Sequence, residues 1–199
     1  MLKRICIIVL CCLLLSNTAF ASITADVKRT VDDIIKIVTD NDLKRTSNEQ
    51  KRRGAIKKVL SDIFDHQEMA KRSLGKHWNQ RSPAERKLFV DLFASLLENS
   101  YASKIESYNN EKVVYVKEVV DGDHAEVKSK IITPKKDEFT LDYRLMKESG
   151  GKWMVYDVVI EGVSLVSNYR TQFNKIISAN GYPELVKKLQ AKDNEVKLQ

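Results

Sequence analysis

The chain has 199 residues, 43% of them hydrophobic and 31% charged, with a net charge of +7. That length is one domain with its own core, and without internal repeats or low-complexity linkers a string of modules is excluded. The basic balance suits nucleic acid, anionic lipid headgroups or an acidic protein partner.

Reading begins with an export signal. Lys3 and Arg4 precede an apolar run from Ile5 to Leu15, and Ala19-Phe20-Ala21 forms an A-x-A cleavage site, the layout of a secretory leader. The run is too short for a membrane span, which needs about 20 residues. Neither Cys11 nor Cys12 follows the small residue that lipoprotein processing wants. Cleavage after Ala21 would remove Lys3, Arg4 and all three cysteines, leaving 178 residues of net charge +5. A mature chain starting at Ser22 would then have no disulfide and no thiol chemistry. Export removes nucleic acid from the expected partners, and a monomer is expected.

The next segments carry a helical period. Val27, Val31, Ile34, Ile35 and Val38 recur at helical spacing over 25–40, as do Ile56, Val59, Leu60, Ile63 and Phe64 over 49–64. A short helix with Met69, Ala70 and Leu74 should stop at Gly75. Ser82-Pro83-Ala84-Glu85 is a capping box with proline in the first turn, opening a helix to about residue 108. Its apolar residues Leu88, Phe89, Leu92, Phe93, Leu96, Leu97, Tyr101 and Ile105 make a wide stripe. Such a stripe needs more than one covering element, or a partner that is not protein.

After Asn109-Asn110 the period changes to that of strands, over 113–120, 125–133, 139–147 and 153–160, with turns at Asp121-Gly122-Asp123, Pro134 to Asp137 and Ser149-Gly150-Gly151. The last strand is nearly all apolar and reads as central and covered on both faces. Past Gly162 helical spacing returns with Leu165, Val166, Tyr169, Phe173, Ile176 and Ile177. Gly181 ends that helix, Pro183 opens a final one, and the tail after Lys192 reads as frayed. The expected fold is α+β: N-terminal helices, a four-stranded antiparallel curled sheet, and C-terminal helices packed on one sheet face.

No metal-ligand pairing joins His66, His77 and His124, and no nucleophile elbow, P-loop or dinucleotide fingerprint is present. Asp157 and Glu161 admit two readings, acid–base groups of an exported enzyme or a buried pairing with Lys or Arg that ties sheet to helix.

Two stretches carry a resemblance. One runs Ile63-Phe64-Asp65, Met69-Ala70, Leu74-Gly75, Trp78, Ser82-Pro83-Ala84-Glu85-Arg86, Phe89, Phe93, Leu97, Tyr101. The other runs from Trp153 through Tyr156-Asp157, Glu161-Gly162-Val163-Ser164 and Asn168-Tyr169-Arg170 to Gln172-Phe173 and Gly181. Together they resemble the MlaC family, the toluene-tolerance auxiliary transport proteins, over nearly all of the mature chain. The resemblance implies a periplasmic phospholipid carrier without cofactor or catalysis. It would work between an outer-membrane lipoprotein–porin complex and an inner-membrane ABC transporter with an MCE-domain subunit, with acyl chains in a cavity between sheet and helices. It points to Tyr101 and Val163 as lining residues; pattern adds Phe93, Leu97, Tyr143 and Val159. A carrier of another lipid, such as a hopanoid, and an exported enzyme using Asp157 or Glu161 are the competing readings.

Overall fold

A computed structural model describes residues 22–197. The expected leader, residues 1–21, lies outside them. The elements follow in the order α1 (Ile23–Thr39), α2 (Glu49–Ile63), α3 (His66–Leu74), α4 (Pro83–Glu106), β1 (Lys112–Asp121), β2 (His124–Ile132), β3 (Glu138–Lys147), β4 (Trp153–Ile160), β5 (Val163–Ser164), α5 (Leu165–Asn180) and α6 (Tyr182–Lys197). No helix among these residues is long and apolar enough to cross a membrane.

Helix starts follow their capping chemistry. Ser22 accepts from the Ala25 amide and Asp65 from the Glu68 amide. At α4 the capping box closes in both directions between Ser82 and Glu85. Gly75 ends α3 at φ +55°, where a Cβ would also stand 3.2 Å from Cδ of Arg170. Glycine there both relieves the backbone and lets α5 approach. The final helix continues to Lys197, past the expected frayed end.

The sheet is antiparallel in the order β1-β2-β3-β4-β5. The two-residue β5 adds a fifth strand to the expected four. It pairs with the end of β4, so β4 lies next to the edge rather than in the centre. Its continuous apolar run has a different cause. The register of β3 against β4 jumps so that Arg144 faces Asp157 while Leu145 faces Val155, leaving Tyr156 as the extra residue of a bulge. Val155, Val158 and Ile160 therefore share one face with Leu145, Tyr143 and Leu141, and Asp157 and Val159 share the other. Helices and Phe64 cover the flank of β4: Phe64 bridges to Val155, and the Asp65 amide donates to the Val155 carbonyl at 2.9 Å.

Two apolar cores result. One joins α1 to the inner sheet face through Ile23, Val27, Val127, Leu145 and Val155. The first turn of α1 is tethered there by Glu118, which accepts from the amide and hydroxyl of Thr24 at 2.8 and 2.5 Å, an anion suitably placed at a helix N-terminus. The other core packs α3, α4, α5 and α6 around Phe89, Phe93, Leu96, Phe173 and Leu185. Rings hold α4 and α5 together, Phe93 meeting Tyr169 and Phe173 edge-on at 5.2 and 5.6 Å. Apart from Leu88, which is 40% exposed, the wide stripe of α4 is thus covered by several elements over its first four turns.

Asp157 ties the sheet to α5. It is 3% exposed, accepts from the Ser164 hydroxyl at 2.6 Å and the Val166 amide at 3.0 Å, and faces the Arg144 guanidinium at 3.4 Å. Glu161 is exposed and accepts from the Thr140 amide and hydroxyl. Of the two readings of Asp157, the geometry is that of the buried pairing. Asp157→Ala should cost about 3 kcal/mol, because Arg144 and the start of α5 lose their anion, a fall in Tm of roughly 6–12 °C. Glu161→Gln should cost less than about 1 kcal/mol. Thermal denaturation of the two variants checks both.

Candidate functional site

The two cores do not merge. Between them lies a cavity of about 1040 Å³, counting its open mouth. One wall is Val27, Val31 and Ile34 of α1, spaced i, i+4 and i+7. The sheet contributes Leu141, Tyr143, Val155, Val158 and Ile160. The opposite wall is Leu97, Tyr101 and Ile105, from the C-terminal half of α4, and Leu60, Ile63, Phe64, Met69 and Leu165 close much of the rest. The α4 stripe therefore divides: its first part is core and its last part faces open space.

The lining is nearly without charge. Burial pushes the Tyr143 hydroxyl far above the ordinary tyrosine value, with Tyr115 and Asp142 adding to the rise, and burial likewise raises Tyr101. Both phenols stay protonated. Burial also lowers the pKa of His66, against the pull of Glu98 and with the push of Lys57, so its imidazole is neutral at pH 7. Glu98 is the one carboxylate among the lining residues, and Lys57 meets it at 3.0 Å. Such a site rejects ions and accepts hydrocarbon. Among the described residues no cluster of His, Cys, Asp and Glu could hold a metal ion.

Of the six residues singled out in the sequence, the structure brings Leu97, Tyr101 and Tyr143 together on the cavity wall. Phe93 is elsewhere, 1% exposed inside the ring cluster of α4 and α5. Val159 is buried on the other sheet face, because the bulge at Tyr156 inverts the alternation beyond it. Val163 stands 59% exposed on β5, outside the lining. Sequence reasoning passed over the α1 wall, although its spacing was read, because a cavity wall and a core face have the same period. It also passed over Val158 and Ile160, which only a known bulge position would have placed.

Comparison with known proteins gives one answer. A family model described as MlaC protein matches residues 28–191. The chain is 24% identical over 188 residues to the intermembrane phospholipid transport system binding protein MlaC of Haemophilus influenzae, covering 92% of this chain and 88% of that one. It is 24% identical over 157 residues to the toluene tolerance protein ttg2D of Pseudomonas putida, covering 78% and 73%. The fold matches a phospholipid-binding protein from Ralstonia solanacearum, solved in complex with a phospholipid. The TM-score is 0.77 at 30% identity, over 87% of this chain and 97% of that one.

His66 makes one cavity-facing feature measurable. Its folded pKa lies below the unfolded value, so as pH falls through about 6.5 the unfolded state takes up the proton first. Stability contributed by neutral His66 is complete above that pH and declines below it. The Tm difference between the parent and His66→Gln should therefore shrink or reverse between pH 7.5 and 5. A difference independent of pH would contradict this assignment.

Proposed function

The chain belongs to the MlaC family of phospholipid-binding transport proteins, and on that premise we propose that it carries phospholipid through the periplasm. In this reading it is exported by its leader, cleaved after Ala21, and works as a soluble monomer. It takes lipid from one docking complex and delivers it to another: an outer-membrane lipoprotein–porin complex and an inner-membrane ABC transporter bearing an MCE-domain subunit. It is not an enzyme. Phospholipid is its cargo rather than a cofactor.

The observation that carries the reading is the neutral apolar cavity held open between two cores. A diacyl lipid leaving a bilayer gives up about 0.8 kcal/mol for each exposed methylene. A carrier must return most of that by burying the chains, at about 25 cal/mol per Å² of apolar area. The walls formed by Val31, Leu97, Tyr101, Tyr143, Val158 and Ile160 offer such burial. The opening of the cavity leaves the polar head a route to water. Support for phospholipid over another lipid comes from the relatives, one named for phospholipid transport and one solved with a phospholipid.

Organic extraction of protein isolated natively from the periplasm should release phospholipid, detected by mass spectrometry. A different mass, such as that of a hopanoid, would name another cargo, and ligand-free protein would oppose the reading. Filling the cavity is the second test. Val31→Trp should lower bound lipid at least about tenfold, equivalent to roughly 1.4 kcal/mol, with Tm held or raised. Val163→Trp, on an exposed position, should change neither quantity.

A further inference from the structure

A second cleft opens between α2 and α4, with Arg53, Lys57, Leu60, Glu98, Asn99 and Ile105 in its lining. It shares Leu60, Glu98 and Ile105 with the main cavity. The two adjoin across these residues, so that the cleft stands as a vestibule carrying Arg53 and Lys57 beside the apolar chamber. We propose that this vestibule seats an anionic phosphate of the cargo, held by Arg53 and Lys57. The proposal rests on the lipid-carrier reading and deepens it.

Three observations carry it. Arg53 and Lys57 stand one helical turn apart, on the same face of α2, and both line the cleft. Nε of Arg53 is a buried donor without a hydrogen-bond acceptor, its nearest carboxylate oxygen, on Glu106, standing 3.6 Å away. Its Nη2 meets Glu49 at 2.9 Å. A buried donor with no acceptor is costly, and a phosphate oxygen would satisfy it in the geometry guanidinium prefers. Lys57 is 58% exposed on its bond to Glu98, a partner it can exchange at little cost. The placement also matches the cargo's own shape. Chains extending into the chamber past Leu60 and Ile105 would bring a phosphate to the cleft, whose lining adds Arg53, Lys57 and Asn99.

The shared chemistry is a phosphate oxyanion, which a lipid or a free phosphate could supply, so the test has an arm for each. Protein exported from the full chain is stripped of lipid and reloaded with phosphatidylglycerol or with diacylglycerol of the same acyl chains. In the double variant Arg53→Gln/Lys57→Gln, phosphatidylglycerol loading should fall at least about tenfold. Diacylglycerol loading should hold, and Lys57→Arg alone, which keeps the Arg53 guanidinium and the charge at 57, should leave the first within about twofold of the parent. Undiminished phosphatidylglycerol loading overturns the proposal, as does equal loss of both lipids, which would mean that the pair only supports the cleft. Inorganic phosphate that binds the stripped parent but not the double variant, with lipid loading intact, overturns the lipid assignment in favour of a free anion. A parent protein that loads neither lipid fails at the earlier step, the carrier function itself.

Discussion

Apolar walls that face each other across open space gain about 25 cal/mol for every Å² they hide from water, so an empty cavity tends to close. The architecture is arranged against that closure. Each wall belongs to a unit with its own satisfied core, one built on α1 and the sheet, the other on α3 to α6. Collapse of either wall would have to break that internal packing. Phe64 and the Asp65 amide join the units along one flank of β4. Ion pairs from Arg52, Arg53 and Lys57 to Glu106 and Glu98 join α2 to α4 across the other side. Asp157 fixes where α5 starts, and so where Leu165 meets the chamber.

Much of this was legible in the residues. Capping chemistry at Ser82 and Glu85 located the start of α4, and alternation in 139–147 located β3. Both signals are local, which is why they survive without tertiary information. Three features were not local. The bulge at Tyr156 is a property of the pairing between β3 and β4 and leaves no mark in an apolar run. The two-residue β5 has too few residues for any period. The division of α4 into a core part and a cavity part depends on what lies opposite, so Phe93 and Tyr101 look alike in sequence and have different neighbours. The long stretch from Trp153 to Arg170, which carries the family likeness, turns out to contain the Asp157 anchor with its Ser164 and Val166 partners and the Arg170 contact to Gly75. Much of that stretch is structural: it sets the frame in which the chamber is held.

Electrostatics divide the interior as sharply as hydrophobicity does. The chamber keeps its phenols protonated and its histidine neutral, whereas the cleft at α2 and α4 concentrates charge of both signs.

The bulge at Tyr156 also limits how this protein can change. It works like a frame shift in the pleat: one surplus residue sets which side chains beyond it look inward. Exchanging one aliphatic residue for another in β4 alters the chamber's contours by a few atoms. Pairing Tyr156 in a regular ladder, so that the bulge disappears while the residue stays, would turn the rest of the strand over, presenting the carboxylate of Asp157 to the chamber and withdrawing Val158. Drift in spelling is therefore tolerated along this strand, and a change in its register against β3 is not. A mutational scan that counts substitutions alone would miss the constraint that matters most there.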